Sequence, residues 1–396
     1  MDYRISDKFV GMKPSAIREI FKSLGTPGAI SFSGGNPAPE SFPVKEFAEI
    51  SAEIFEKAPV AALQYSVTEG YPKLRELVAA RQKERFSVGG DDDTTIITTG
   101  GQQAIELACK VLCNEGDVVI AENPSFIGAL NAFRSCGAKL VGVELENDGI
   151  SLEGLEAALK ANPNTKLIYL IPTFQNPGGI TTSLEKRKAV YALAQKYDTM
   201  ILEDNPYGEL RFAGEEVPTI KSMDTDGRVI YCGSFSKILS AGMRIGFLCA
   251  NEKLTAKIVV AKQVEDVHTN IFFQMMCTEY LTRYDLDDHI ASIRALYRHK
   301  SALMLECLDR EFPDYVTYTR PEGGIFLWCT LPEGMDMNAL VKAAVAEKVF
   351  VVPGTAFNCD QDAPSQSFRL NYSMPSDDDI VKGIAILGRI IRELHG

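Results

Sequence analysis

The chain predicts an α/β protein with a large domain on a mostly parallel, seven-stranded sheet and a smaller α+β domain beside it. Three observations carry this. Seven short β-branched runs recur between about residues 95 and 250. Helical patterns separate most of them, and strands alternating with helices make a mostly parallel sheet covered on both faces. Over the last hundred or so residues the pattern changes to long helices mixed with isolated strands.

The strand runs, in order, are Thr95-Ile96-Ile97-Thr98, Val118-Val119-Ile120, Lys139-Leu140-Val141-Gly142-Val143, Leu167-Ile168-Tyr169-Leu170-Ile171, Met200-Ile201-Leu202, Val229-Ile230-Tyr231 and Gly246-Phe247-Leu248-Cys249. After the first, Gln102 to Leu112 sets Ile105, Ala108, Cys109 and Leu112 on one helical face. Leu184 to Tyr197 is a second such stretch. Beyond them, Ile290 to Phe312 reads as a long helix. Strand candidates follow near Tyr315 to Thr319 and Phe326 to Cys329, then a helix from Met337 to Glu347. Phe350-Val351-Val352 and Phe368 to Tyr372 read as strands, and Asp378 to Leu394 as a closing helix. The division expected is a large domain over 46–285 and a small one made of 1–45 and 286–396.

Composition narrows the function. Of 396 residues, 45% are hydrophobic and 24% charged, ordinary for a soluble globular enzyme. Mean hydropathy is −0.04, and no apolar run approaches the roughly 18 residues of a membrane span. The start, Met1-Asp2-Tyr3-Arg4, lacks the apolar core of a signal peptide, so a cytoplasmic enzyme is expected. A net charge of −12 argues against nucleic acid, which needs a basic face. The nine cysteines form no Cys-x-x-Cys, and most sit in apolar runs, which predicts buried reduced thiols. The four histidines make no metal-spaced pair with cysteine, so no metal is expected.

Chemistry-bearing residues collect after the strands. Lys237 leaves the run ending at Cys232 through small and hydroxyl residues, Gly233-Ser234-Phe235-Ser236, and Arg244 follows it. Asp204 comes directly after Met200-Ile201-Leu202-Glu203. An amine, a carboxylate and a guanidinium are what bound pyridoxal phosphate needs: a covalent link to its aldehyde, a partner for the pyridinium nitrogen and a grip on the phosphate. Gly100-Gly101-Gln102 ends one strand and opens a helix, a phosphate-binding geometry that is more often only a turn. Phe126, after the next strand, can stack on a planar ring or belong to the core. Asn176, in Asn176-Pro177-Gly178, is part of a plain turn or a donor to a ring oxygen. Asp204 taken singly reads as a cap or loop residue, and Tyr207 as packing. All these candidates nevertheless follow strands of one sheet, where ligands of open α/β folds collect. Arg369, inside an apolar strand, needs an anion: an acidic side chain or a substrate carboxylate.

Together these segments resemble the pyridoxal-phosphate-dependent fold type I aminotransferases of class I/II. They are most similar to the branch holding 2-aminoadipate and kynurenine aminotransferases and the catalytic domains of MocR-type regulators. Pro14-Ser15-Ala16-Ile17-Arg18-Glu19, Ser33-Gly34-Gly35-Asn36-Pro37 and Leu63-Gln64-Tyr65-Ser66-Val67-Thr68-Glu69-Gly70-Tyr71 match that branch's N-terminal third. The resemblance implies Lys237 as the cofactor-linked lysine and Asp204 as partner of the ring nitrogen. It implies Asn176 and Tyr207 at the ring oxygen and Phe126 over the ring face. Gly101, Gln102, Ser234, Ser236 and Arg244 would hold the phosphate, with Tyr65 reaching it from a neighbouring subunit of a homodimer. Gly35, Asn176 and Arg369 would meet the substrate carboxylate, and Arg18 is a candidate for a distal one. Phe126 stands where many relatives carry tyrosine, and Gly101 where serine is frequent, so a phosphate contact there is backbone only.

The activity implied moves an amino group from an L-amino acid to a 2-oxo acid such as 2-oxoglutarate; a lyase or decarboxylase of the same fold is the alternative. Ser234-x-x-Lys237 also matches penicillin-binding enzymes, but Ser-Asp-Asn and Lys-Thr-Gly are absent. No Gly-x-Gly-x-x-Gly or Gly-Lys-Ser/Thr supports a nucleotide enzyme. The match starts near Pro14, so no preceding DNA-binding segment, and hence no regulator, is expected.

Overall fold

The computed structural model describes residues 3–10, 12 and 27–395. Its large sheet contains β2 (Asp93–Thr99), β3 (Val118–Asn123), β4 (Lys139–Glu146), β5 (Gly149–Ile150), β6 (Thr165–Leu170), β7 (Met200–Asp204), β8 (Val229–Ser234) and β9 (Ile245–Asn251). Their spatial order is β2-β9-β8-β7-β6-β3-β4-β5. All seven expected strands are present, and β8-β7-β6-β3-β4 run parallel. The sheet has eight strands rather than seven. The eighth, β5, is a two-residue return of β4 through Asn147-Asp148 to Gly149, whose φ of +122° suits glycine. A strand that short leaves no periodicity to read.

Apolar residues line both faces. One core contains Ile97, Leu107, Val119, Tyr169 and Leu202; the other contains Ile120, Ile168, Leu170, Val190 and Ile201. Alternate residues of β3, β6 and β7 thus feed opposite cores, which explains their nearly continuous apolar runs. The helices Gly100–Leu112 and Leu184–Lys196 cover these faces. Ser183 caps the second by accepting from the amide of Lys186.

The C-terminal part forms an antiparallel sheet in the order β10 (Thr317–Tyr318), β11 (Phe326–Thr330), β14 (Ser367–Asn371), β13 (Val352–Pro353). The helices Leu286–Glu311 and Asp377–His395 belong to the same region. The single strand expected at 350–352 is two. β12 (Val349–Phe350) pairs in parallel with β1 (Ile30–Ser31), whereas β13 joins β14. Pro353 has no N–H to extend the second ladder. Pairing with β1 also ties residues 30–32 to the C-terminal part: Asn371 donates to Phe32 O at 2.8 Å.

All nine cysteines are unpaired; Cys113, Cys136 and Cys359 are half-buried rather than buried as expected. No helix among the described residues is long and apolar enough to cross a membrane.

The two long C-terminal helices meet at Gly388, where a Cβ would collide with Glu311 O. Gly388→Ala forces them apart, so it should lower the unfolding free energy by about 1–3 kcal/mol. Chemical denaturation checks this; unchanged stability would mean that the helices slide apart freely there.

Candidate active site

Strands β3, β6, β7 and β8 run in one direction, and β2 shares it because two antiparallel pairings separate it from β8. Hence Thr99, Asn123, Leu170, Asp204 and Ser234 all end at one edge. β9 runs the other way, so Arg244, just before it, reaches the same edge. A cavity of about 280 Å³ opens there. The C-terminal sheet closes it with Phe326 and Arg369, and the N-terminal segment with Gly35 and Asn36.

One end of the cavity is built of phosphate-sized donors. Gly101 and Gln102 open the helix Gly100–Leu112, whose first N–H groups have no intrahelical acceptor. Arg244 packs its guanidinium against Gly100, where any Cβ would collide with it. The backbone approach is equally close: a Cβ on Gly246 would lie 2.5 Å from Gly100 C. Arg244 Nη1 reaches Ser236 Oγ at 3.5 Å, and its other amino group donates to Thr99 O at 3.4 Å. Ser234 Oγ accepts from the Ser236 amide at 3.0 Å and so caps the turn that carries Lys237.

In the middle, Lys237 Nζ donates to Gly35 O at 2.6 Å. Burial, and then the nearby charges of Arg369 and Arg244, push this amine down to about 8. Asp204, the last residue of β7, is buried, and that burial pushes its carboxyl up to about 6. Two donors oppose the shift: Tyr169 OH at 2.8 Å and Cys232 Sγ at 3.5 Å. Asp204 is thus neither a cap nor a solvated loop residue, the readings it has taken singly, but a carboxylate fixed inside the protein.

At the other end lies Arg369, on β14 and 2% exposed. Among the described residues it has no acidic partner within salt-bridge distance. Its amino groups donate to Asn176 Oδ1 and Ser33 O, both at 2.8 Å, and Nε has no acceptor. The guanidinium stacks 4.0 Å from the Phe326 ring centre. Burial pushes its dissociation down to about 9. Asn176 Nδ2 donates to Tyr207 OH at 3.4 Å, which links this end to the middle.

The cavity therefore gathers every expected site residue except two. Tyr65 is 81% exposed on a separate surface groove with Leu63, His268 and Phe272, its ring 5.9 Å from that of His268. Arg18 lies outside the described residues. Sequence reasoning missed Tyr169 and Phe326. A phenol within the otherwise apolar run 167–171 needs a buried acceptor, and that signal was available for Tyr169. Phe326 carried none, because its role depends on how the C-terminal sheet meets the larger one.

The family description "Aminotransferase class I and II" matches residues 29–386. The chain is 42% identical to aromatic-amino-acid aminotransferase 1 of Thermococcus litoralis, over 99% of this chain and 95% of that protein. It superposes on the multiple substrate aminotransferase of Thermococcus profundus with a TM-score of 0.93 at 38% identity, covering 99% and 98% of the two chains. LysN, the α-aminoadipate aminotransferase of Thermus thermophilus complexed with N-(5'-phosphopyridoxyl)-L-leucine, gives 0.91 at 38% identity and the same coverage.

The chain belongs to the class I and II aminotransferases, with the fold type I architecture. It is a pyridoxal-phosphate-dependent amino acid aminotransferase; the lyase or decarboxylase alternative is not favoured. The residues present fit that cofactor. A glycine-lined, arginine-backed cradle suits its phosphate, a buried carboxylate its ring nitrogen and a half-buried amine its aldehyde.

Tyr169→Phe removes a donor that holds the Asp204 carboxyl down. Its titration should move to higher pH, by up to about one unit. Carbon-13 NMR of the aspartate carboxyls checks this. An unmoved Asp204 resonance would show that the phenol does not reach it.

Proposed function

We propose that this cavity is the aminotransferase active site, and that the donors are medium or large L-amino acids. Aromatic, 2-aminoadipate and branched-chain types are included, with 2-oxoglutarate as an acceptor. The observation that carries this reading is a buried arginine without an acidic partner among the described residues, in one cavity with a half-buried lysine and a buried aspartate. The names of the similar enzymes support the substrate range.

Bound pyridoxal phosphate supplies an aldehyde for the amino group and a pyridinium ring that withdraws electrons from Cα. Arg244, Ser234 and Ser236, with the backbone of Gly101 and Gln102, would hold its phosphate. Phe126 would pack on the ring, and Asn176 and Tyr207 would meet the ring oxygen. Asp204, ionised, would keep a proton on the ring nitrogen. Arg369 grips the α-carboxylate bidentately beside Asn176 and Gly35. Holding the carboxylate there turns the Cα–H bond toward Lys237 and favours loss of a proton over loss of CO₂. Lys237, whose amine burial pushes down to about 8, would take that proton as general base and hand it back. Two half-reactions through one cavity give ping-pong kinetics. Arg18 is reserved for a distal carboxylate or for packing on an apolar side chain.

We also propose a cytoplasmic homodimer with shared sites, in which Tyr65 reaches the partner's phosphate. Val60, Leu63 and Tyr65 are each at least 75% exposed, an apolar cluster that a neighbour would cover. The proposed division is a cofactor-holding body, 46–285, and a smaller body of 1–45 and 286–396. The separate C-terminal sheet, tied to residues 30–32, supports it.

Borohydride reduction of the yellow holoenzyme should fix the cofactor mass on the Lys237 peptide; label on another lysine would reject the assignment. Asp204→Ala should slow amino transfer by roughly 10²-fold or more, because a fixed charge facing developing charge stabilises by several kcal/mol. Single-turnover spectroscopy reads this, and near-normal rates would exclude Asp204 as the ring partner. Mixing cofactor-weakened Tyr65→Phe chains with inactive Lys237→Ala chains should raise activity at limiting cofactor, since one site of each heterodimer then carries both lesions and the other neither. No rise would place each site within one chain.

A further inference from the structure

Where β3 and β6 part, a side chain takes over from the strand ladder. Their pairing ends with Ala121 opposite Tyr169. Beyond it, the Ile171 amide donates to Glu122 Oε2 at 3.1 Å. The same oxygen accepts from Gln175 Nε2 at 3.2 Å, and Oε1 has no donor. Both side chains are buried. Among the described residues no cation lies within salt-bridge distance of Glu122. Burial pushes its carboxyl up to about 7, and the charge of Asp204 adds to the rise. A buried carboxyl without a cation costs stability, and an apolar side chain of its size would cost less. Holding the fold together accounts poorly for a glutamate here.

Gln175 carries the connection on. Its Nε2 also donates to Pro124 O at 2.8 Å, and its Oε1 accepts from the Gly178 amide at 2.7 Å. One side chain thus joins the exit of β3 to the turn that holds Asn176. The β3 exit is tied in turn to the C-terminal part. Ser125 N donates to Phe357 O at 2.9 Å, and Cys359 N to Asn123 Oδ1 at 2.8 Å. The Phe357 ring centre lies 4.9 Å from the Arg369 guanidinium, and Arg369 donates to Asn176. These contacts close a circuit around the substrate end of the cavity: Gln175, the β3 exit, Phe357, Arg369, Asn176 and back to Gln175. Neither Glu122 nor Gln175 lines the cavity, so they reach a ligand only through that circuit.

We propose that Glu122 and Gln175 are positioning residues for the substrate carboxylate. They close the circuit and so hold Asn176 and Arg369 in the relation that a carboxylate needs. Gln175 spans the gap with a donor on one side and an acceptor on the other. Glu122 and Pro124 O, both acceptors, fix which way its amide faces. This role deepens the aminotransferase reading of the cavity and rests on it.

The probe is hydrocinnamate, a carboxylate without an amino group, titrated by calorimetry into the enzyme loaded with pyridoxal phosphate. Gln175→Met fills similar space without hydrogen bonds and should weaken hydrocinnamate about tenfold or more. Gln175→Asn keeps the amide but is too short to span the gap; it should show the same loss if Gln175→Met fails to fold. Affinity for pyridoxal phosphate, whose phosphate sits at the other end of the cavity, should stay within about threefold in either variant. Glu122→Gln keeps an acceptor oxygen and should bind hydrocinnamate within about threefold of the parent. The positioning role is overturned if the parent shows no saturable binding, or if the folded Gln175 variant binds hydrocinnamate as the parent does. Equal loss of cofactor affinity, or a Glu122→Gln as weak as the Gln175 variant, overturns it too. Conversion of L-phenylalanine by the parent is followed alongside. A parent that converts it while the Gln175 variant binds normally rejects the positioning role alone; a parent that converts no amino acid rejects the reading of the cavity, and the positioning role with it.

Discussion

Charge buried at the edge of the large sheet is the constraint around which this protein is arranged. Asp204 and Arg369 sit out of water, and Lys237 is half-buried beside them. Burial works against the charged form of each, and the groups around them supply what water would have given. Gly35 O accepts from the amine, Tyr169 OH donates to the carboxylate, and Asn176 Oδ1 and Ser33 O accept from the guanidinium. Behind the sheet the same solution recurs. Arg187, fully buried, donates to Thr182 O, Pro172 O and Thr173 Oγ1 at 2.9, 2.7 and 3.0 Å. Those bonds fix the segment that presents Asn176. The site is therefore set by strand ends held from below as much as by the residues facing the ligand.

The same constraint divides the labour between the two sheets. Parallel strands deliver Asp204 and the Asn176 segment to one edge, and helix and turn caps deliver the phosphate donors. Arg369 comes from an antiparallel strand of the other sheet, between Trp328 and Val352. A substrate carboxylate seated there would touch both sheets, so its binding and the fit of one sheet against the other are one event.

The large sheet was legible in the sequence because buried parallel strands are continuous apolar runs bounded by turn residues. What escaped was short or dependent on partners. β5 is two residues long, and the break between β12 and β13 arises from pairing with β1, far away in sequence. The site was legible for a related reason. Lys237, Asp204, Asn176 and Arg244 are polar residues placed where strands stop, and a motif fixes each locally. Tyr169 showed the need for a buried acceptor, but which acceptor was visible only once β7 lay beside β6. Tyr65 is the opposite case: it was named from its motif, and this single chain leaves it on the surface, away from the cavity.

The central claim is that Arg369 is held buried, without an acidic partner among the described residues, in order to receive a substrate carboxylate. It is tested most directly by comparing an amino acid with its decarboxylated amine, for example L-phenylalanine and phenethylamine. The measurement is the ratio of their single-turnover rates in the parent enzyme and in Arg369→Met. The account predicts a large preference for the amino acid in the parent, falling by about tenfold or more in the variant, as loss of a charged, bidentate contact requires. A preference that survives the substitution undiminished would contradict it.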